Sequence, residues 1–400
     1  MANMLGLLSS QNFKSKIKNY IAYSRHVKKI TNVSLGSNCE NRAALSYLTS
    51  PFLNGFGRNL PNENNIKNIL GVLIELGYTV DIFDHDCDIN KYYAGESYDL
   101  VLGFGDFFGK LTERCLKANP GLRTISYFTE LEADYTKGIE IERYKELKRA
   151  GVRVTTQNLR SSDFYEVKHH AYSNRLIFTG PSRSLNFFDK YPFQKKVAIQ
   201  PSIVELAPFL NGISRSPKKF CWVGSFGGIL KGLDILVEAF RSRPDLELIL
   251  FGVHPRDQVL FKNNLPSNIM NRGFVDMASP EARDEMQTCS YVLCPSFSEG
   301  SSTGVLTAMG HGCIPIVSKY AGTEVTDTPL FLIEELSSIG ISKTIDDAML
   351  SIQEIGDLEN THLKIATDAR LKYSADSFRS RFRCALLECL QEINLDHEFS

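Results

Sequence analysis

The sequence predicts an α/β protein of two domains in tandem, each a parallel sheet covered by helices on both faces. Three observations carry this. Short apolar runs of strand length alternate with helix-compatible stretches along most of the chain, which is the pattern of parallel sheets. The length, 400 residues, suits two domains of ordinary size. The stretch 203–219, with Pro208, Gly212, Pro217 and a polar run from 214 to 219, breaks the alternation and reads as a linker before a second round. Domain bounds of 1–207, 208–219 and 220–375 follow, with 376–400 as a C-terminal helix packing back on the first domain.

Composition narrows the class. With 43% hydrophobic and 23% charged residues, the chain reads as a soluble globular protein able to bury large cores. A net charge of −1 supplies no global field for nucleic acid, which is not expected as a partner. Nine cysteines, at 39, 87, 115, 221, 289, 294, 313, 384 and 389, form no Cys-x-x-Cys pair and mostly lie in apolar surroundings. There they act as small hydrophobes, and the scattered odd count points to a reducing, cytoplasmic compartment. No apolar run reaches the roughly 18 residues of a membrane span, and no signal-peptide core opens the chain.

The elements follow in order. Residues 11–30 are expected as a basic helix, with Phe13, Ile17, Tyr20, Ile21 and Val27 on one broad face and Lys14, Lys18, Arg25 and Lys29 beside it. Such a helix fits a membrane surface, but Lys16 and Lys28 intrude on its apolar arc, which favours packing on the domain with a solvated basic side. In the first domain, strands are expected at 43–49, 79–83, 100–102, 124–128, 153–155 and 175–178, with helices at 64–76 and 140–149. In the second, strands are expected at 220–223, 246–251, about 271–275, 290–294 and 313–318, with helices at 233–241, 281–288 and 302–311. Two or three helices close the chain, the longest over 377–393.

Several stretches suggest chemistry. Residues 295–318, PSFSEGSSTGVLTAMGHGCIPIVS, place a small-residue loop with one acid, Glu299, between a buried strand and a helix. Ligands of open α/β sheets bind at such loops, and Ser301, Ser302 or Thr303 can cap a helix whose free N–H groups suit an anion. Residues 224–232, GSFGGILKG, follow a strand and precede a helix, so glycine backbone and Lys231 suit a phosphate. This is not a Walker A loop, because no Ser or Thr follows the lysine. Gly103, Gly105 and Gly109 approach a dinucleotide fingerprint but are spaced one residue too far. Asp84, Asp86 and Asp88 alternate as cation ligands do, yet lack the glycine and closing glutamate of an EF-hand, and an exposed acidic loop explains them better. The loop 51–61, bearing Gly55, Gly57 and Arg58, ends a strand and is long enough to touch a ligand. No histidine pair has metal spacing, and no Gly-x-Ser-x-Gly nucleophile is present.

Taken together, GSFGGILKGLDILVEAF, LELILFGV and PSFSEGSSTGVLTAMGHGCIPIVS resemble the C-terminal half of GT-B glycosyltransferases, closest to retaining family 4 (glycosyl transferases group 1). The resemblance covers 220–320 well; the N-terminal half shares only the strand–helix rhythm. It implies two Rossmann-like domains facing across a cleft, the second binding a nucleotide-sugar donor and the first most of a glycan or lipid-linked glycan acceptor. By the same resemblance, Glu299 contacts the donor sugar as the first acid of a Glu-x7-Glu motif, and Lys231 binds the diphosphate together with the helix start at Ser302, Thr303, Gly304 and Val305. Gly224, Ser225, Gly227, Gly228, Gly300 and Ser301 line the donor, and Phe274 and Val275 lie where backbone meets the base. Two departures stand out: the motif's second acid is Thr307, and a basic residue usual after the first strand is Ser225. Thr307 removes a strong acceptor for ribose hydroxyls.

The expected activity is sugar transfer with retention, without metal or resident cofactor, in surface polysaccharide or lipopolysaccharide assembly, cytoplasmic or peripheral on the inner membrane face. The two departures support an alternative, a catalytically silent nucleotide-sugar or glycan-binding partner in a synthesis complex. A nicotinamide dehydrogenase is a distant third.

Overall fold

The computed structural model describes residues 28–34, 41–53, 61–160, 163–261, 264–324, 329–355 and 357–391. Most of the basic helix expected at 11–30 lies outside them; Lys29 and Ile30, which are described, open a strand instead. The chain divides into two compact units. One comprises 1–128, 163–199 and 378–400, the other 129–162 and 200–377. The segment 129–162 thus groups with 200–377, and 378–400 with the N-terminal residues.

The first unit runs β1 (Lys29–Val33), β2 (Asn41–Tyr47), α1 (Ser50–Leu53), α2 (Pro61–Glu75), β3 (Tyr78–Asp84), α3 (Ile89–Tyr92), β4 (Leu100–Gly103), α4 (Gly105–Ala118) and β5 (Arg123–Phe128). The segment with α5 (Ala133–Arg149) belongs to the other unit; β6 (Arg175–Thr179) and β7 (Lys195–Ile199) then complete the first sheet, in the order β1-β3-β2-β4-β5-β6-β7. All pairs are parallel except β1 with β3. The central strands are apolar on both faces (Leu100, Val101 and Leu102 are fully buried) because helices cover both sides. Three near-fingerprint glycines serve packing. A Cβ on Gly103, Gly105 or Gly109 would lie 2.1, 2.7 or 2.7 Å from the carbonyl oxygen of Ser46, His85 or His169. His170 is a core histidine: its Nδ1 meets Ser126 Oγ at 2.8 Å, and burial pushes its pKa down to about 3.

The second unit continues with β8 (Ser216–Val223), α6 (Leu233–Arg241), β9 (Glu247–Phe251), β10 (Ile269–Gly273), α7 (Pro280–Met286), β11 (Cys289–Cys294), α8 (Thr303–Gly310), β12 (Ile314–Ser318), β13 (Phe331–Ile333), α9 (Ser338–Ile355), α10 (Leu358–Lys372) and α11 (Ala375–Leu390). Its sheet is wholly parallel, in the order β10-β9-β8-β11-β12-β13. Strand order therefore reverses between β8 and β11, the switch point at which open sheets bind ligands. In α6, Leu233, Leu236, Val237 and Phe240 fall at helical spacing and are buried on this sheet's core. From Phe378 onward α11 belongs to the first unit, where Arg379 pairs with Glu75 at 2.5 Å and Phe382 meets Tyr127 edge-on at 6.2 Å.

Two expected features are corrected. The polar run 214–219 is not all linker: Ser216–Val223 is one strand, since Ser216 pairs with Cys289 and Lys219 with Glu247 through backbone that needs no apolar side chain. Residues 153–155 form no strand. Val152 and Val154 instead sink into the second unit's core, and the chain turns at Thr156–Asn158 under a Thr155 cap.

The second core is legible by experiment because Trp222, the sole tryptophan, is 1% exposed within it. Phe220 stacks on Tyr291 at 4.9 Å and meets Phe240 edge-on at 5.4 Å. Phe220→Ala should cost about 3–5 kcal/mol in denaturant unfolding followed by Trp222 emission. A loss below about 1 kcal/mol would contradict this packing.

Candidate functional site

The carboxyl edge of the second sheet gathers the loops after β8 (224–232), β9 (252–257) and β11 (295–302). Buried Ile229 and Leu230 anchor the first loop, which closes on itself as Lys231 N–H donates to Gly227 O at 3.1 Å and Leu233 N–H to Gly228 O at 2.9 Å. Leu230 O in turn accepts from Phe297 N–H at 2.7 Å and from Ser296 Oγ at 3.0 Å, joining the loops on either side of the switch point.

The 295–302 loop is fixed from three directions. Glu299 N–H donates to Tyr320 O at 2.9 Å and Ser302 N–H to Ala321 O at 3.1 Å, while Ser298 Oγ meets Thr136 Oγ1 at 2.8 Å. Gly300 lies against the 129–130 backbone so closely that an added Cβ would stand 2.3 Å from Thr129 O. These contacts hold Glu299, 7% exposed, with its carboxylate on Lys231 Nζ. Arg160 Nη1 reaches the same oxygen, Oε1, at 3.4 Å, and Arg160 Nη2 pairs with Glu130 at 2.9 Å.

Electrostatics follow from this clustering. Burial pushes the Glu299 carboxyl up, but the charges and hydrogen bonds of Lys231 and Arg160 outweigh it and hold it below the ordinary glutamate range. For Arg160, burial works downward and is overcome by Glu130, Glu299 and Glu140, which raise the guanidinium further. Glu140, fully buried in α5, also accepts the Arg160 backbone N–H at 2.6 Å and so positions that residue.

The glycine loop departs from expectation. The N–H groups of Gly227 and Gly228 both donate to Asp257 Oδ2, at 3.1 and 3.0 Å, so they are already taken by a buried carboxylate. Burial raises the Asp257 pKa, against the opposing pull of those two N–H groups. Anion-binding capacity at this edge therefore falls to Lys231, Arg160 and the start of α8. Ser302 is the N-cap there, though its side chain makes no cap hydrogen bond; its Oγ receives Cys294 Sγ at 3.5 Å. Leu306 N–H is the first to return to the cap, donating to Ser302 O at 3.2 Å, so Gly304 and Val305 N–H precede the helical ladder. Ser301 Oγ is buried with no partner.

The remaining expected residues are placed as follows. Gly224 directly follows β8, its N–H donating to Phe251 O at 3.0 Å, and Ser225 is exposed. Thr307 is buried one turn into α8 beyond Thr303. Phe274, 80% exposed, and Val275, packed at the core margin, follow β10, two strands or about 10 Å from β8. Gly55, Gly57 and Arg58 lie outside the described residues. Asp84, Asp86 and Asp88 do not form one cluster: Asp84 and Asp86 meet at the Lys28 ammonium, at 3.3 and 2.6 Å, Thr49 Oγ1 also donates to Asp84 at 2.7 Å, and Asp88 instead caps α3. Among the described residues, no group of three or more His, Cys, Asp or Glu is arranged to hold a metal. Sequence reasoning missed Arg160, Glu130, Glu140 and Asp257. Arg160 lies 139 residues from Glu299 in a polar stretch with no motif, and local spacing carries no signal for it.

Residues 217–349 match the family described as Glycosyl transferases group 1. No curated protein sequence matches the chain. Among solved structures, sucrose-phosphate synthase from Thermosynechococcus elongatus is similar at a TM-score of 0.57 and 13% identity, over 87% of this chain and 98% of that one. HepE from Anabaena in complex with UDP and glucose gives 0.54 at 13% identity, over 87% and 99% of the two chains. The HepE complex with UDP-glucose gives 0.52 at 14%, over the same shares. At these identities the likeness is one of fold: a mixed α/β chain with two parallel sheets, as in GT-B glycosyltransferases.

The Glu299 set makes a stability prediction. A carboxyl held below its ordinary range stabilises the fold above its unfolded pKa and loses that contribution as pH falls through the folded value. Glu299→Gln should therefore melt lower than wild type at about pH 7, the gap narrowing as pH falls below the ordinary glutamate range. Thermal melts across pH decide it; an equal gap at both ends would rule out the ionised pair.

Proposed function

We propose that this chain, whose residues 217–349 match the Glycosyl transferases group 1 family and whose fold is like that of GT-B glycosyltransferases, is a glycosyltransferase that takes its sugar from a nucleotide-sugar donor held at the carboxyl edge of the second unit. The observation that carries this is Lys231 beside Glu299 at the β8–β11 switch point, next to the start of α8. Fold neighbours solved with UDP and UDP-glucose lend the donor class support.

In the proposed reaction the bond between the anomeric carbon and the diphosphate oxygen breaks, and an acceptor hydroxyl attacks from the face the diphosphate leaves. The hydroxyl proton passes to a departing phosphate oxygen, so the configuration is retained and no dedicated base is required. Negative charge growing on the diphosphate is met by Lys231 and by the N–H groups and dipole of α8. These protein groups do the work a divalent ion does elsewhere, and no resident cofactor enters. Glu299 orients the sugar through its hydroxyls, with Lys231 linking sugar and phosphate positions. Gly224, Ser225, Gly227, Gly228, Gly300 and Ser301 line the donor, and Phe274 and Val275 mark the base side.

The acceptor we propose is a glycan or lipid-linked glycan in surface-polysaccharide assembly, with the enzyme at the cytoplasmic membrane face through residues 11–30 and the acceptor near Gly55, Gly57 and Arg58. No described helix is long and apolar enough to cross a membrane. A second reading, a silent sugar-nucleotide-binding partner, draws on buried Thr307 and uncharged Ser225. Slow donor hydrolysis by purified protein separates the two, since an active transferase releases nucleotide without acceptor.

With chelator present, Lys231→Ala and Glu299→Ala should each lower transfer by about two to three orders of magnitude in a donor-to-acceptor assay. Full activity in both variants would refute the site. Deleting residues 1–27, which spares β1 and Lys28, should abolish sedimentation with anionic liposomes while leaving transfer to a soluble acceptor intact; undiminished sedimentation would remove the membrane assignment.

A further inference from the structure

Resting on the donor reading above, we infer that Arg160 is the second cation of the diphosphate subsite. The loop 224–232 contains one basic residue, Lys231, and its Gly227 and Gly228 N–H groups are spent on Asp257. A nucleoside diphosphate brings at least two negative charges, so this loop alone leaves the ligand short of positive partners. Arg160 lies where the deficit falls. Its stem runs along the loop, with Cδ 2.4 Å from where a Cβ on Gly227 would stand, and Gly227 has the left-handed φ of 103° that favours glycine. Its guanidinium reaches the same Glu299 oxygen that Lys231 holds. Arg160 and Lys231 therefore meet at one oxygen, and the remaining arm of the guanidinium is held by Glu130.

The partners of Arg160 differ in how firmly they hold it. Glu299 is buried and already matched by Lys231, whereas the Arg160–Glu130 pair is about a quarter exposed on each side, 26% and 27%. A pair that open to water is weak and exchangeable. An arriving phosphate replaces Glu130 on the guanidinium fork, which suits phosphate oxygens in two-pronged fashion. Glu140, by fixing the Arg160 backbone, aims the side chain before the ligand arrives. Arg160 thus carries a role that no residue of the β8 loop other than Lys231 has the charge to fill.

The test compares affinities for a nucleoside diphosphate and its monophosphate by calorimetry, using UDP with UMP, GDP with GMP and ADP with AMP, and taking the pair that wild type binds best. Arg160→Gln leaves a polar, hydrogen-bonding side chain at the position but removes the charge and shortens the reach. It should weaken diphosphate binding about 10- to 100-fold and monophosphate binding far less, while Arg160→Lys recovers most of the loss. Melting temperatures show which variants are folded, and Arg160→Lys against wild type serves if Arg160→Gln does not fold: a modest selective loss of diphosphate is then expected. If folded variants lose both ligands equally, or neither, Arg160 is only a structural tie and the inference falls while the donor reading stands. If wild type binds none of these nucleotides, the donor reading falls first and takes this inference with it.

Discussion

A buried carboxylate, Glu299, organises the second unit's ligand-facing edge. Burying an ionised acid is costly unless it is paired and hydrogen-bonded, and here the pairing comes from Lys231 and Arg160 together. Lys231 belongs to the loop after β8, Glu299 to the loop after β11, and Arg160 to the segment beyond α5. One charge cluster therefore ties three distant stretches. Gly300, pressed against Thr129, and the loop bonds to Leu230, Tyr320 and Ala321 make that meeting geometrically possible.

The glycine loop shows how a familiar pattern changes meaning in place. Glycines after a strand and before a helix suit an anion, yet Asp257 occupies the Gly227 and Gly228 N–H groups. A second anion brought to those same groups would face a buried carboxylate. The burden shifts to side-chain cations and the α8 start, where Ser301 Oγ is buried and unpartnered.

Much of the fold was legible because parallel strands covered on both faces read as apolar runs. β11, CSYVLC, is buried throughout, and α6 spans the residues its periodicity indicates. The weakly patterned pieces were not legible. β1, β7 and β13 are edge strands, short and only partly buried, and half of β8 is held by backbone pairing under polar side chains. Helix α5 begins seven residues before its expected start, at Ala133 rather than 140, because Glu132 caps it through Asp134 and Tyr135 N–H. Of the site, Glu299, Lys231 and the α8 start were visible as local motifs, whereas Arg160, Glu130, Glu140 and Asp257 were not.

By itself, the sequence determined the alternation of elements, the two-sheet class, and the loops that stand at strand ends, because periodicity and turn chemistry act over a few residues. The tertiary structure alone decided which charges meet. Lys231 and Glu299 are 68 residues apart and Arg160 is 139 from Glu299, separations at which no local pattern constrains distance. Only the order of strands around β8 and β11, with the 129–162 segment packed into the same unit, brings them to one oxygen atom.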